Sequence, residues 1–564
     1  MLESKERTVK FNYLMVILFL ALSLVAVGIF GSQGRFYSAN DLKFHLARIA
    51  ELVHDLRFHD SFLSPLSFTF FKGTGTAVQI FYPNLTLLPF AFLQLLIKQP
   101  IVALYMMLAL YSWAGCCLSY FLMLRFTKQN QLQSGLFAVI YNFSLYHTTD
   151  LFIRFDLGEW LAMIFLPLVF YGGYQILAGK WNEWKFGAIG LALVGYSHVL
   201  TFALSIGIIM VGWLIGWLLR RPTDLRNRLI AAIKMSGSTF LLTFFEFYPL
   251  VRLSLLNNIH FPTRYNLLVS PNGKLPDLNS FLATALSNQL TKNLGIILLL
   301  ILIGELIMWR MVPQLYRWSW ILLVLLVICT TTFFPWQYFQ RTPLAVIQFP
   351  WRLLTIASFF LALSGSWLFA TLFGLITQRW RIKGEKWWGL ILVLVVMLPT
   401  LSAELLTLNQ YKRTDQLVNF NRKTVGTHYW ITDQEYQKFV KVSSNTDYYP
   451  IKAYSARNSI LKRKVLTNKG KLRMSVTKFE HNQMTIELIS KSAQTANLPW
   501  IKYQGINYQL SVNGRHQQLK TSKRGTFLVK LKRGKNKVSL KVNAFTGQFL
   551  AEIITVVGSA CLLL

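Results

Sequence analysis

The chain has 564 residues, 53% hydrophobic and 14% charged, with 58 lysines and arginines against 23 acids and a formal net charge of +35. That balance excludes an ordinary soluble domain and fits a polytopic membrane protein, whose main solvent is lipid. Cys116, Cys117, Cys329 and Cys561 all lie in apolar runs, which excludes a disulfide framework or a spaced cysteine metal site.

The chain opens with Lys5, Arg7 and Lys10, and the apolar residues Phe11 to Phe30 follow. The run is too long for a signal-peptide core and no small-residue cleavage site follows it, so it is read as a retained helix. Next comes "SANDLKFHLARIAEL", from Ser38 to Leu52. Asp41, His45 and Arg48 fall at i, i+4 and i+7, one polar stripe of a helix, beside an apolar stripe of Leu42, Leu46, Ile49, Val53 and Leu56. Asn40 or Ser38 can cap its start. Spacing alone leaves two readings: a connector whose charges meet water, or an interfacial helix that turns its polar stripe into a cavity.

Apolar runs near 11–31, 101–124, 134–149, 159–178, 186–197, 199–219, 235–250, 293–309, 318–334, 352–376, 388–406 and 546–564 predict twelve spans with both chain ends cytoplasmic. A further run at 80–97 carries Pro83 and Pro89 and reads as a hairpin or interfacial helix. With 32–100 as one large outer loop, the inner loops Arg125–Lys128, Lys180–Lys185, Arg220–Lys234, Arg310–Arg317 and Arg379–Lys386 are all basic, as the positive-inside rule asks.

The same reading places "HTTDLFIRFDLGEW" outside, with Asp150, Arg154, Asp156 and Glu159. Carboxylates beside arginines at a membrane rim can bind a cation, accept a proton from a hydroxyl or hold a ligand's hydroxyl groups. His198, in "GYSHVLTF", reads by itself as a packing histidine near the outer face. Glu246, in "FFEFYP", is costly in lipid unless paired, and Arg252 is its candidate partner. The outer loop "FPWQYFQRTPLAVIQFPWR" carries Arg341, Gln348 and Arg352. Arginine suits phosphate because it is always charged and presents paired donors, although Arg352 alone also reads as a helix-end residue snorkelling to the interface.

From 407 to 545 alternating stretches such as "MTIELIS" and "TFLVKLKRGKNKVSLKV", with a turn at Asn513-Gly514, predict a β-domain. Residues 411–541 hold 27 Lys and Arg against 6 Asp and Glu. On the outer side such a surface suits anionic headgroups or wall polymers rather than nucleic acid, or is simply a solvated basic face. No metalloprotease, phosphate-loop, serine-hydrolase or dinucleotide motif occurs.

Taken together, "DLKFHLARI", "FYPNL", "RFDLGEWLAMIFLPL", "SHVLT" and "IQFPWRLL" resemble the YfhO-like bacterial membrane proteins, also labelled pyruvoyl-tetrahydropterin-synthase-related. The pterin-synthase label is set aside, since no histidine zinc cluster appears. The likeness covers the membrane region to about residue 375 and extends to the basic domain and final span. It implies a GT-C-type polytopic glycosyltransferase that takes a sugar from a polyprenyl-phosphate carrier at the outer face. Carried over, the first-loop acid is Asp41, and the second-loop acid falls within Asp150, Asp156 and Glu159, with Asp156 or Glu159 favoured. His45, Arg48, Arg154, His198, Arg341, Gln348 and Arg352 become candidate substrate-binding residues. Asp41 has no adjacent acid, so a divalent cation, Mg or Mn, stays open.

The expected architecture is therefore a GT-C-like transmembrane domain at 1–406, an extracytoplasmic β-sandwich-like domain at 407–545 and a final helix at 546–564. The expected setting is the bacterial plasma membrane, with the active site outside and an anionic cell-wall or teichoic-acid-type polymer as acceptor. The rival readings are a flippase for a lipid-linked substrate and a non-catalytic scaffold of surface-polymer assembly.

Overall fold

A backbone in lipid can satisfy its N–H and C=O groups only within itself, so the apolar runs become helices. The computed structural model describes residues 12–58, 64–270, 273–413, 417–422, 428–468, 470–480 and 482–563; Lys5, Arg7 and Lys10 lie outside them. Among the described residues seven helices are long and apolar enough to cross a membrane: α1 (Tyr13–Gly31), Pro100–Phe126, Leu157–Leu177, Val199–Arg220, Leu225–Leu256, Pro350–Trp380 and Glu385–Arg413. The other five predicted spans form shorter helices. Gln131–Asn142 and Trp184–Gly195 have 12 residues each, Gly295–Ile307 has 13, and Gln314–Cys329 and Gln548–Leu563 have 16. This is a mostly helical, multi-pass membrane protein with a C-terminal β-domain.

The 80–97 run breaks after Phe81, and its longest helix, Leu88–Leu96, spans only ~14 Å. Gly172 and Gly187 let helices Leu157–Leu177 and Trp184–Gly195 touch backbone to backbone, where a Cβ would collide.

The connections sort to two ends of the bundle. At one end Arg125 bonds Glu183 (3.0 Å), Arg228 bonds the Ile176 carbonyl (2.9 Å), Gln133 bonds Tyr316 (2.7 Å), and a cavity of about 760 Å³ is lined by Asn12, Asn130, Thr377 and Lys386. These are the basic loops. At the other end lie the segment 32–100, the turn 150–156, the loop 334–352 and the C-terminal region, held together by the contacts described next.

Helix α2 (Leu42–Phe58) packs under this end; Leu42, Leu46, Ile49 and Leu52 are buried against Tyr436 and Phe439 of helix Asp433–Lys441. Strand Phe36–Tyr37 pairs with His428–Ile431, which also pairs with Leu417–Asn419. The lysine-rich composition beyond 407 does not mark the start of the sandwich: helix Glu385–Arg413 continues through it, and the sandwich strands begin at Val465.

The sandwich has two five-stranded sheets. One runs in the order Lys520–Thr521, Thr526–Leu531, Gln494–Ile501, Val465–Thr467, Gly470–Leu472; the other runs Arg515–His516, Ile506–Val512, Gly534–Phe545, Gln483–Ser490, Met474–Glu480. Strand alternation turns Phe527, Val529 and Trp500 of one sheet toward Ile486, Leu510 and Leu540 of the other. Asn513 and Gly514 both have positive φ (52° and 77°), the geometry a two-residue hairpin requires. The sandwich docks on the loop end: Ile501 N–H donates to the Thr74 carbonyl (2.9 Å), and Asn257 bonds the backbone of Gln504.

Candidate active site

The site is organised by one irregular turn. Residues Asp150–Arg154 form a π-helical turn, Phe155 follows in the left-handed region (φ 53°), and Asp156 caps helix Leu157–Leu177 by accepting the Glu159 N–H at 3.3 Å. The Phe155 ring packs edge-on against Phe36 and His45, which holds the strained residue in place. The turn gathers Asp150, Arg154, Asp156 and Glu159 within one buried group.

Arg154 is its hub. Its guanidinium bonds Asp150, Asp156 Oδ2 (3.0 Å), Glu159 Oε2 (3.0 Å) and the Tyr146 hydroxyl (3.1 Å), and it covers the Trp351 ring at 4.4 Å. Burial, outweighing Arg154, pushes the Asp150 carboxyl well above its ordinary value. Arg352 faces the same acids, with Nε 3.5 Å from Glu159 Oε2 and Nη2 3.9 Å from Asp156 Oδ2; its Nη1 donates to Gln348 Oε1 (2.8 Å) and to the Ile347 carbonyl (3.1 Å). Glu159 Oε1 also accepts from Tyr146 (3.0 Å) and Thr355 (2.5 Å).

The helix α2 stripe reaches this group because Asp41 N–H donates to the Arg154 carbonyl (2.8 Å) and Asn40 N–H to that of Ile153 (3.3 Å). His45 Nε2 then stands 3.6 Å from Asp156 Oδ1, which also accepts from the Tyr82 hydroxyl at 3.0 Å. Burial lowers His45 to about 4, so it is neutral near pH 7. Burial alone would raise Asp156, but His45, His198 and Arg154 outweigh it and hold the carboxyl well below its ordinary value. His198 is buried, bonds Thr201 Oγ1 at 2.8 Å and lies 5.8 Å, ring to ring, from Tyr82.

Asp41 differs from its neighbours. Its carboxylate makes no hydrogen bond or ion pair among the described residues, and the residue is exposed to solvent beside the buried acids. Burial and then Asp156 push it up to about 6, against Arg154 and Arg352. A free carboxyl titrating near neutrality can take a proton from a hydroxyl.

The structure thus brings Asp41, His45, Arg154, Asp156, Glu159, His198, Gln348 and Arg352 together. It does not add Arg48 or Arg341. The buried Arg48 guanidinium donates to the Tyr82 (2.9 Å) and Pro83 carbonyls and stacks on the Tyr82 ring, while Arg341 is exposed and bonds nothing among the described residues. Glu246 is not paired with Arg252: six residues along a helix point to different faces, and Arg252 bonds Tyr248 instead (2.7 Å). The site also contains Tyr146, Thr355, Trp351, Tyr82 and Lys292 (Nζ 4.8 Å from the Trp351 ring). Tyr82 and Trp351 lie inside motifs the sequence singles out; the rest carry no local signal.

Among the described residues no three His, Cys, Asp or Glu side chains group as a metal site. Asp156 and Glu159 spend their oxygens on Arg154, Tyr82, Tyr146 and Thr355, while among the described residues the Asp41 carboxylate and Asp150 Oδ2 stay unbonded.

No protein-family model matches the sequence, and no curated protein matches it; likeness to the YfhO-like group rests on the motifs alone. Among solved structures the chain is similar to the arabinofuranosyltransferase AftD from mycobacteria, with 17% identity and a TM-score of 0.43, over 70% of this chain and 27% of that one. The chain thus spans about a quarter of that structure's length, and a likeness of this size assigns no activity.

Proposed function

We propose that the protein is a GT-C-type membrane glycosyltransferase that moves a sugar from a polyprenyl-phosphate carrier to an acceptor hydroxyl outside the cytoplasm. The observation that carries this is the position of Asp41: an exposed, unbonded carboxylate whose backbone N–H is held on the Arg154 carbonyl (2.8 Å), next to the group in which Arg154 and Arg352 meet Asp156 and Glu159. In the reaction the acceptor oxygen bonds the anomeric carbon, the bond from that carbon to the phosphate oxygen breaks, and Asp41 takes the acceptor proton. Arg352 stabilises the charge that grows on the departing phosphate; its contacts to Asp156 and Glu159 are long enough to leave it spare donor capacity. His45, Tyr82 and Arg154 hold Asp156 in place, and with it the electrostatic setting of Asp41.

The carrier's apolar chain has a matching space. A cavity of about 490 Å³, lined by Phe202, Ile206, Met210, Trp213 and Phe247, runs between helices Val199–Arg220 and Leu225–Leu256 and begins one turn from His198. The positive-inside rule puts the basic loops in the cytoplasm of a bacterial plasma membrane, so the site and the sandwich face outside. Exposed Arg515, Lys532, Arg533, Lys535 and Lys537 on the sandwich favour an anionic acceptor, such as a wall or teichoic-acid-type polymer. A flippase would instead need its polar groups near the bilayer midplane.

The test is transfer of labelled sugar from synthetic polyprenyl-phosphate carriers by the purified protein in proteoliposomes. Transfer that depends on the phosphate-linked sugar is expected. Failure with every carrier would overturn the transferase reading.

A further inference from the structure

The cavity of about 760 Å³ at the basic end of the bundle plays no part in the transferase reading. It is an open cleft between the starts of α1, helix Gln131–Asn142 and helix Glu385–Arg413 and the last three turns of helix Leu354–Trp380. Its polar lining, Asn12, Asn130, Thr377, Glu385 and Lys386, stands near the helix ends. Its apolar lining, with Met15, Ala370, Phe373 and Gly374, lies deeper along the same helices. Asn12 Oδ1 accepts the Leu14 N–H (3.1 Å) and Asn130 Oδ1 that of Gln133 (3.0 Å), which leaves both side-chain NH2 groups as donors to the cleft.

The surroundings fix what such a cleft meets. Trp380, Trp387 and Trp388, on the two helices that flank it, are all exposed, and exposed tryptophans of a membrane protein sit at the level of the lipid headgroups. Leu14 and Ile17 of α1 and Leu375 and Ile376 of helix Leu354–Trp380 are exposed as well. The cleft therefore borders a surface that acyl chains cover. Its charge is one-sided: Arg379, Arg381, Lys383 and Lys386 stand against Glu385, and these four cations are exposed and make no side-chain hydrogen bond or ion pair among the described residues.

We propose that this cleft binds an anionic phospholipid of the cytoplasmic leaflet, its headgroup among the polar residues at the helix ends and an acyl chain along the apolar lining. The side follows from the orientation given above; the lipid's charge follows from the four cations, which attract an anionic headgroup and gain nothing from a neutral one. A bound lipid here would join α1 to the two helices on either side of the Arg379–Lys386 loop.

The experiment titrates the full-length protein in a neutral detergent with dioleoyl phosphatidylglycerol and with dioleoyl phosphatidylcholine, which differ only in the headgroup, and reads bound lipid by native mass spectrometry. Three variants accompany the wild type. Lys386→Glu reverses a lining charge; Gly374→Leu fills the apolar part, where a Cβ meets nothing within 4 Å and the fold is left undisturbed; Lys274→Glu makes the same charge change at an exposed lysine of the other end. The wild type is expected to bind phosphatidylglycerol about tenfold more tightly than phosphatidylcholine. Lys386→Glu should lose that preference, Gly374→Leu should weaken both lipids, and Lys274→Glu should match the wild type. A wild type without the preference, a Gly374→Leu protein that binds both lipids normally, or equal losses in Lys386→Glu and Lys274→Glu would each overturn the proposal. Binding that appears only after deletion of residues 1–11 would make the chain's own start the occupant and overturn it too.

Discussion

Arg352 Nε stands 3.5 Å from Glu159 Oε2, which joins the loop before helix Leu354–Trp380 to the first turn of helix Leu157–Leu177. Through Asp156 the same contact extends to His45 of α2. Three distant stretches of sequence thus share one polar group, and predictions about one of them have consequences for the others.

Asp41→Asn removes the proposed base but no hydrogen bond. Transfer is expected to fall by roughly 10²- to 10⁴-fold, with the thermal unfolding midpoint close to wild type. Rates and midpoints on the same preparation check both; a large drop in the midpoint would mean that the carboxylate holds the fold instead.

Because Asp41 is raised to about 6 and acts as its ionised form, kcat/KM is expected to rise with pH through about 6 and then level. A pH–rate profile with its acid limb near the ordinary aspartate value would contradict Asp41 as the raised base.

The two arginines separate by role. Arg154→Gln leaves Asp156 and Glu159 buried without their shared cation, at a cost of about 3–5 kcal/mol, so the protein is expected to unfold at markedly lower temperature. Arg352→Gln loses looser contacts and is expected to raise KM for the carrier about tenfold or more with a small stability change. Denaturation and steady-state kinetics on the pair distinguish the two.

Gly158 has no room for a side chain. A Cβ there would fall 2.8 Å from Tyr82 Cε1 and 3.0 Å from the Ser197 carbonyl oxygen. Gly158→Ala must displace Tyr82 from Asp156, so a loss of about 1–3 kcal/mol of stability is expected together with reduced transfer. Tyr82→Phe, which keeps the ring and removes the bond, should lose transfer with less loss of stability.

Glu51, fully buried in α2, accepts the Phe70 N–H at 3.0 Å, and burial raises its carboxyl to about 7. The folded state then binds a proton that the unfolded chain releases above its ordinary value. This contribution is present below about 4.5 and is lost as pH rises through about 7. Glu51→Gln is expected to flatten that decline in a series of melting curves.

Helix positions and the sandwich strands were legible because periodicity and apolar length report burial directly. The charged motifs around Asp41, Asp156 and Arg352 were legible as exceptions to the apolar pattern. Arg48 misled because spacing shows which face of α2 it occupies, not that the chain returns at Tyr82 and Pro83 to offer it two carbonyls. The start of the sandwich was misplaced because a change in composition does not mark the end of a helix: Glu385–Arg413 continues through it.

Side-specific labelling most directly tests whether the site loops share one face. Single cysteines at positions 41, 352 and 535, and at 386 among the basic loops, would be placed in a cysteine-free background and reacted with an impermeant maleimide in sealed, oriented vesicles. Positions 41, 352 and 535 are expected to react from the same side and 386 only from the other; labelling of 41 and 352 from opposite sides would contradict the account.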